Sequence, residues 1–414
     1  MNITGITGNI PEMATSTSAL VLSGGGALGA YEVGVIKALC EGNPAANQAP
    51  LDATIFAGTS VGSFNAAVLA MNVGGQAASA RRLNDLWLNT IADQGDGRGN
   101  SVYRIRGDLT NYLDPRIPGS PVEQFARVLS DAGSLRQLTG RTLRGFLSTH
   151  GSLLSRAANQ VDLSILLNTE PFARLVKKAI NPAVLRASLD DSGGKPAKKL
   201  SVTATSWGTS KARGFDFPNL DDEQVWGAIH ASAAIPCLFP AVKMAGEYYI
   251  DGGVLQNTPL NSAIDEGATV IHVVSLTPAD PTRVEDYSGT TFDILSRVLL
   301  AVVEANIRQD LEWVKEINRG IEAIARIAGG KEFDASDARP IAIALGRMES
   351  RLSADELPQQ VTVHRYFPQK ALGGLVDMLN FDRAHVEKLI QRGYADARSH
   401  QCGTHCVVPD AVAA

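Results

Sequence analysis

The chain has 414 residues, with 38 Lys and Arg against 43 Asp and Glu, for a net charge of −5. Hydrophobic residues make up 44% and charged residues 20%, the balance of a globular protein with a sizeable core, which excludes collagen-like, fibrous and wholly disordered chains. The acidic balance also lacks the basic excess that neutralises phosphates, so no nucleic acid partner is expected.

Residues 1–17 are small and polar without a period and read as a loose N-terminal tail. The apolar run at 19–22 reads as a short buried strand that stops at three glycines. It has no basic segment before it and is too short for a signal peptide or a span, so any membrane contact is expected to be peripheral. After the glycines, Tyr31, Val33, Val35, Ile36 and Leu39 recur at helical spacing up to Gly42. A second strand is predicted at 54–57 and a second helix at 63–71. This strand, turn, helix order, given twice, predicts an α/β fold: a mostly parallel central sheet with helices on both faces.

Between about 92 and 196 the strand pattern fades, and a helical cap insertion is expected. Within it, residues 98–156 hold nine basic against four acidic residues. Leu143, Phe146 and Leu147 lie there beside Arg141 and Arg144, which suits either peripheral docking on anionic lipid or an ordinary amphipathic cap helix. Further strands are predicted at 200–205, 248–250, 269–276, 341–344 and 361–366, and a long helix at 292–317. No composition break divides the chain. The expected organisation is one domain over 18–280, an elaboration at 281–397 packed on it, and a loose tail at 398–414.

Four cysteines, Cys40, Cys237, Cys402 and Cys406, are too sparse for a disulfide framework and suit a reducing cytoplasm. His400, Cys402, His405 and Cys406 have zinc-ligand chemistry, but the C-x3-C spacing is loose and the chain ends eight residues later. No metal and no cofactor are expected.

Three short elements carry chemistry. In GTSVG at 58–62, Ser60 sits between Gly58 and Gly62 after a strand and before a helix, which fits either a nucleophile elbow or an ordinary glycine-rich turn. In SGGGALG at 23–29, the amides of Gly24, Gly25 and Gly26 can converge on an oxyanion without Cβ obstruction. Gly24, Gly26 and Gly29 also satisfy the dinucleotide fingerprint, but the acid that would bind the ribose is misplaced: Asp52 precedes the second strand instead of ending it. In DGG at 251–253, Asp251 ends an aromatic strand and reads as a base for the serine or as a turn aspartate. None of the seven histidines makes a motif. A Ser-His-Asp arrangement through His272 or His364 stays open on the residues alone.

Taken in order, SGGGALGAYEVGVIKAL, AGTSVGSFNAA and DGGVLQNTPL resemble the patatin-like phospholipase family. SILLNTEPF, VTATSW, ASAAIPCLFPAV and the later VTVHRYFP support the resemblance. It implies a patatin-like three-layer fold and a lipid acyl hydrolase that uses a Ser-Asp dyad and an acyl-enzyme, with phospholipid or a related lipid ester as substrate. Ser60 would then be the nucleophile and Asp251 its base. Gly24, Gly25, Gly26 and the amide of Val61 would form the oxyanion hole, and Gly58 and Gly62 the elbow. One position departs from the family pattern: its loop commonly carries a basic residue where this chain has Leu28, which would line the acyl channel or pack in the core. Acyl transfer or thioester cleavage by the same dyad, and a regulatory lipid-binding module, are the other functions compatible with these motifs.

Overall fold

The computed structural model describes residues 16–42, 49–95, 99–105, 167–190, 197–236, 238–279, 291–348, 359–403 and 405–409. Strand β1 (Ser18–Leu22) runs parallel to β2 (Ile55–Thr59), with Ala19 opposite Ile55 and Leu22 opposite Gly58. Side chains alternate across a strand, and in β1 both faces are buried. Leu20 and Leu22 join one apolar cluster while Ala19 and Val21 join another. That is why the segment is apolar throughout instead of alternating with polar residues.

On the first face lie α1 (Gly29–Glu41), α2 (Val61–Ala70) and α3 (Gln76–Leu86). A two-residue ribbon, β3 (Arg104–Ile105) with β4 (Leu167–Asn168), stands apart from the main sheet, and α4 (Glu170–Ala179) and α5 (Pro182–Leu189) follow it. Most of the expected cap, and nearly all of the basic stretch 98–156 with Arg141 and Arg144, lies outside the described residues.

The sheet continues with β5 (Lys199–Ser206), parallel to β2 and carrying the short antiparallel β6 (Ala212–Gly214) on its end. After α6 (Asp222–Ser232) comes a hairpin of β7 (Val242–Met244) and β8 (Glu247–Asp251), which the sequence reading reduced to three residues. Its two-residue turn, Ala245 and Gly246, has positive φ at both positions, 48° and 89°, the primed geometry that matches strand twist. Strand β9 (Val270–Val274) pairs with β1 after the short helix α7 (Leu260–Asp265), and β10 (Thr362–Tyr366) pairs with β9. The order is β10-β9-β1-β2-β5-β8-β7, parallel from β10 through β5 and antiparallel beyond.

The second face is covered by α7 and by α8 (Thr291–Ala328), whose Ile307, Leu311 and Val314 pack on Ala19, Val21 and Val363. The residues after 280 therefore share the core of the sheet. Among the described residues no helix is long and apolar enough to cross a membrane.

Two expectations are corrected. Residues 341–344, read as a strand from the alternation IAIA, belong to α9 (Ala338–Met348), where Ala344 packs on Ile317 and Ile321 of α8. Alanine and leucine favour helix, and Pro340 sits in the tolerated first turn. The final segment is not wholly loose: after α10 (Arg383–Arg398), Val407 exchanges backbone hydrogen bonds of 2.7 and 2.9 Å with Val363 and is buried.

Candidate active site

The three motifs meet at the carboxyl ends of the parallel strands, the usual crevice of an open α/β sheet. The glycine loop leaves β1 and the GTSVG turn leaves β2. Asp251 ends β8 opposite Ala204 of β5.

Ser60 has φ 56° and ψ −128°, a strained conformation for a residue with a side chain, costing about 1–3 kcal/mol. It lets the chain turn from strand to helix in a single residue, so α2 begins at Val61, two residues earlier than its apolar spacing suggests. The turn needs both flanking glycines. A side chain at Gly58 would run into the carbonyl oxygen of Gly62, and one at Gly62 would lie 2.6 Å from that of Leu22. The serine is buried, 3% exposed, and lines the same cavity as Asp251, whose carboxyl pKa it lowers.

Ser232 locks the elbow from below. The Ser60 amide donates to its hydroxyl at 2.8 Å, and that hydroxyl donates to the carbonyl of Thr203 at 2.6 Å. Ser232→Ala removes both partners inside the core, and a loss of about 1–3 kcal/mol is expected, read as a lower denaturant midpoint with an unchanged m-value. An unchanged midpoint would mean that the elbow holds itself.

Asp251 accepts from the amide of Gly253 at 2.7 Å, and its backbone is fixed by Thr205, whose hydroxyl donates to the Asp251 carbonyl at 3.0 Å. Burial pushes its carboxyl up to about 7, against the neighbouring Ser60 hydroxyl and the hydrogen bond from Gly253, which pull it down. An aspartate shifted this far titrates where histidine ordinarily does, which removes the usual objection to a carboxylate as general base.

The glycine loop divides its amides. Gly24, expected among the oxyanion donors, gives its N–H to the carbonyl of Asn257 at 3.1 Å, and the Asn257 side chain returns a bond to the Gly24 carbonyl at 3.2 Å. Gly24 thus anchors the loop and is not a free donor. The amides of Gly25, Gly26 and Val61 have no hydrogen-bond acceptor among the described residues. Gly26 and Val61 open helical turns, where amides have no intrahelical partner. The positive end of the α2 dipole adds to this donor set.

Beneath the loop, Glu32 of α1 is fully buried and accepts from the Ser23 amide at 2.8 Å and from Asn65 at 2.9 Å. Trp87 donates to Asn65 at 2.9 Å. Burial holds the Glu32 carboxyl well above the usual carboxylate range, while Asn65 and the Ser23 amide lower it. Glu32 is thereby a positioning residue for the segment that enters the loop.

A cavity of about 310 Å³ opens over Ser60 and Asp251. Its walls include Leu28, Ile235, Val254, Leu276, Leu300 and Leu372, with Arg297 and Glu304 contributed by α8. Leu28, 4% exposed, thus both packs in the core and faces the cavity. A narrower apolar slot of about 30 Å³ reaches Ser60 from the side of Gly26 and Val61, between Phe64, Phe172 and Phe381. No histidine lines either cavity among the described residues. His272 and His364 instead stack on each other, ring centres 5.2 Å apart, on β9 and β10. Burial lowers the His272 pKa to about 3, and His150 lies outside the described residues.

Sequence reasoning did not assign Ser232, Asn257 or Glu32. All three lie inside the motif-bearing stretches, Ser232 in ASAAIPCLFPAV, Asn257 in DGGVLQNTPL and Glu32 in SGGGALGAYEVGVIKAL, where Glu32 shows only as a charge among apolar helix residues.

A family model described as Patatin-like phospholipase matches residues 20–264, more than half of the chain. No curated protein matches it. Among solved structures it is similar to VipD from Legionella pneumophila, with 18% identity over 93% of this chain and 66% of that one and a TM-score of 0.37. The chain therefore spans just under two thirds of VipD. It is also similar to a chain from the complex of full-length SpcU with full-length ExoU, of the type III secretion system of Pseudomonas aeruginosa. There the identity is 15% over 92% of this chain and 76% of that one, with a TM-score of 0.24.

Proposed function

The chain belongs to the patatin-like phospholipase family, and from that premise we propose that it hydrolyses carboxylic esters of phospholipids or related lipids through Ser60 and Asp251. The observation that carries this reading is the meeting of Ser60, on its strained turn, and a buried carboxylate whose pKa is pushed up to about 7 on the wall of one apolar cavity. In the proposed sequence, Ser60 Oγ attacks the ester carbonyl carbon as its proton passes to Asp251. The carbonyl oxygen becomes an anion held by the amides of Gly25, Gly26 and Val61. When the tetrahedral centre collapses, the alcohol leaves with the proton from Asp251 and the acyl group stays on Ser60. Water then attacks the acyl-enzyme, giving its proton to Asp251, and the fatty acid departs as the proton returns to Ser60.

The apolar wall formed by Leu28, Leu276 and Leu300 suits an acyl chain, so the missing basic side chain in the glycine loop is read as a binding feature. The oxyanion function then rests on backbone donors alone, each contributing roughly 3–4 kcal/mol to the transition state. Gly26→Ala tests them, because Gly26 has φ 56° and a side chain there would meet the carbonyl oxygen of Met378. The loop must shift, and kcat is expected to fall about 10²-fold or more with little change in KM. A change confined to KM would place the loop in substrate binding only.

Product profiling tests the function itself. The chain is incubated with mixed phospholipid, lysophospholipid and acyl-CoA, with Ser60→Ala as the blank. Free fatty acid and deacylated lipid are the expected products. Acyl groups recovered only on acceptor alcohols would make the chain a transferase, and binding without turnover would make it a lipid-binding module.

A further inference from the structure

Away from the cavities, the end of the chain brings a second set of reactive side chains together. His364 lies in β10, and His400, Cys402 and Cys406 follow α10. One ligand atom from each of the four falls within 4.8 Å of every other. His364 Nδ1 is 3.1 Å from Cys402 Sγ, and His400 Nε2 is 3.7 Å from Cys402 Sγ and 3.6 Å from Cys406 Sγ. Tetrahedral zinc, with Zn–S near 2.3 Å and Zn–N near 2.0–2.1 Å, requires ligand atoms roughly 3.3–3.8 Å apart. The three separations just given are close to the edges of that tetrahedron, the other three lie within 4.8 Å, and neither thiol is in a disulfide.

We propose that His364, His400, Cys402 and Cys406 form a structural zinc site that clamps the end of the chain onto β10. Two imidazoles and two thiolates are a zinc donor set, softer than calcium or magnesium prefer. Four protein ligands close the coordination sphere, which leaves no position for a catalytic water. Zinc binding releases the two thiol protons to solvent and involves no redox change.

The surroundings suit a clamp. Val407, next to Cys406, pairs with Val363, next to His364, and the Arg365 amide donates to Cys406 Sγ at 3.5 Å. The ring of Tyr366 lies 4.4 Å from that of His400 and covers it. The clamp also occupies the open edge of β10, which would otherwise present unpaired backbone groups. The grouping differs from the one the sequence suggested. His405 turns away to pack on Phe367, ring centres 5.1 Å apart, and His364 takes its place.

The test is metal content. The full chain is purified with a non-chelating phosphine reductant and loaded with zinc, excess metal is removed, and zinc is counted by elemental mass spectrometry. About one zinc per chain is expected. His364→Gln and the double change Cys402→Ser with Cys406→Ser should lose it, and His405→Gln should keep it. Cobalt in place of zinc should show thiolate charge-transfer bands and the d–d bands of a tetrahedral centre, a readout on the parent chain that does not depend on any variant folding. Absence of bound zinc and of these bands in the parent overturns the proposal. So does loss of zinc from His405→Gln while His364→Gln retains it, or a Cys402–Cys406 disulfide in the freshly reduced chain.

Discussion

Replacing Ser60 with alanine should lower hydrolysis of a p-nitrophenyl acyl ester by about 10³-fold or more while leaving the chain folded. The structural roles at this position belong to its backbone. Its amide is held by Ser232 and its carbonyl accepts from the hydroxyl of Ser63 at 2.5 Å, so alanine keeps both bonds. The side chain supplies only the hydroxyl, in the cavity that Ser60 shares with Asp251. Near-parental turnover in a folded Ser60→Ala chain would remove Ser60 as nucleophile. A collapse of activity together with the unfolding transition would show instead that the serine is structural.

Asp251→Asn should cost about as much as Ser60→Ala, because two groups that act as a unit are lost together. The double variant should be little worse than either single one. The amide keeps an oxygen for the Gly253 N–H and nearly the same shape, but it cannot take the serine proton. His272→Gln and His364→Gln should retain most activity after correction for folded fraction, since neither histidine lines a cavity. A folded histidine variant with activity down about 10³-fold would favour a Ser-His-Asp arrangement. On the proposed mechanism the same aspartate should set the pH dependence. It must be ionised to act as base, so kcat/KM should rise with pH through about 7 and level off above it. Stability runs the opposite way. The folded pKa of Asp251 lies above its unfolded value of 3.8, so the folded chain binds more protons in that interval. Its contribution is full below about pH 4 and is lost as pH rises through about 7, a swing of about 4 kcal/mol. Asp251→Asn removes this penalty, and at pH 8 it should unfold at a temperature no lower than the parent.

The chemistry of this site was legible where it is written in glycine. Gly58 and Gly62 are required because the elbow folds back on itself, and the loop at 24–26 because backbone approaches backbone; both demands leave marks in the sequence. Strain leaves none. Nothing in the letters says that Ser60 takes φ 56°, and apolar spacing alone therefore starts α2 two residues late. The hairpin that carries Asp251 was half seen, since β7 has three residues and its turn is Ala-Gly instead of the more telling Asn-Gly. Partners distant in sequence were the least legible. That the Gly24 amide is taken by Asn257, and that Ser60 leans on Ser232, depends on strands meeting in space. So does the replacement of His405 by His364 beside the two cysteines. Residues 341–344 failed for another reason: a run of Ile and Ala fits both periods, and its place beside α8 decides for helix.

During lipid hydrolysis the proposed mechanism puts an acyl group on Ser60. It is tested by acid-quenching the chain during turnover of a phospholipid of defined acyl composition, then measuring intact mass and mapping peptides. The expected result is a mass increase equal to one acyl group on the peptide that contains Ser60, absent from Ser60→Ala and accompanied by release of the same fatty acid. Steady release of fatty acid with the acyl group on another residue, or with Ser60→Ala as active as the parent, would contradict it.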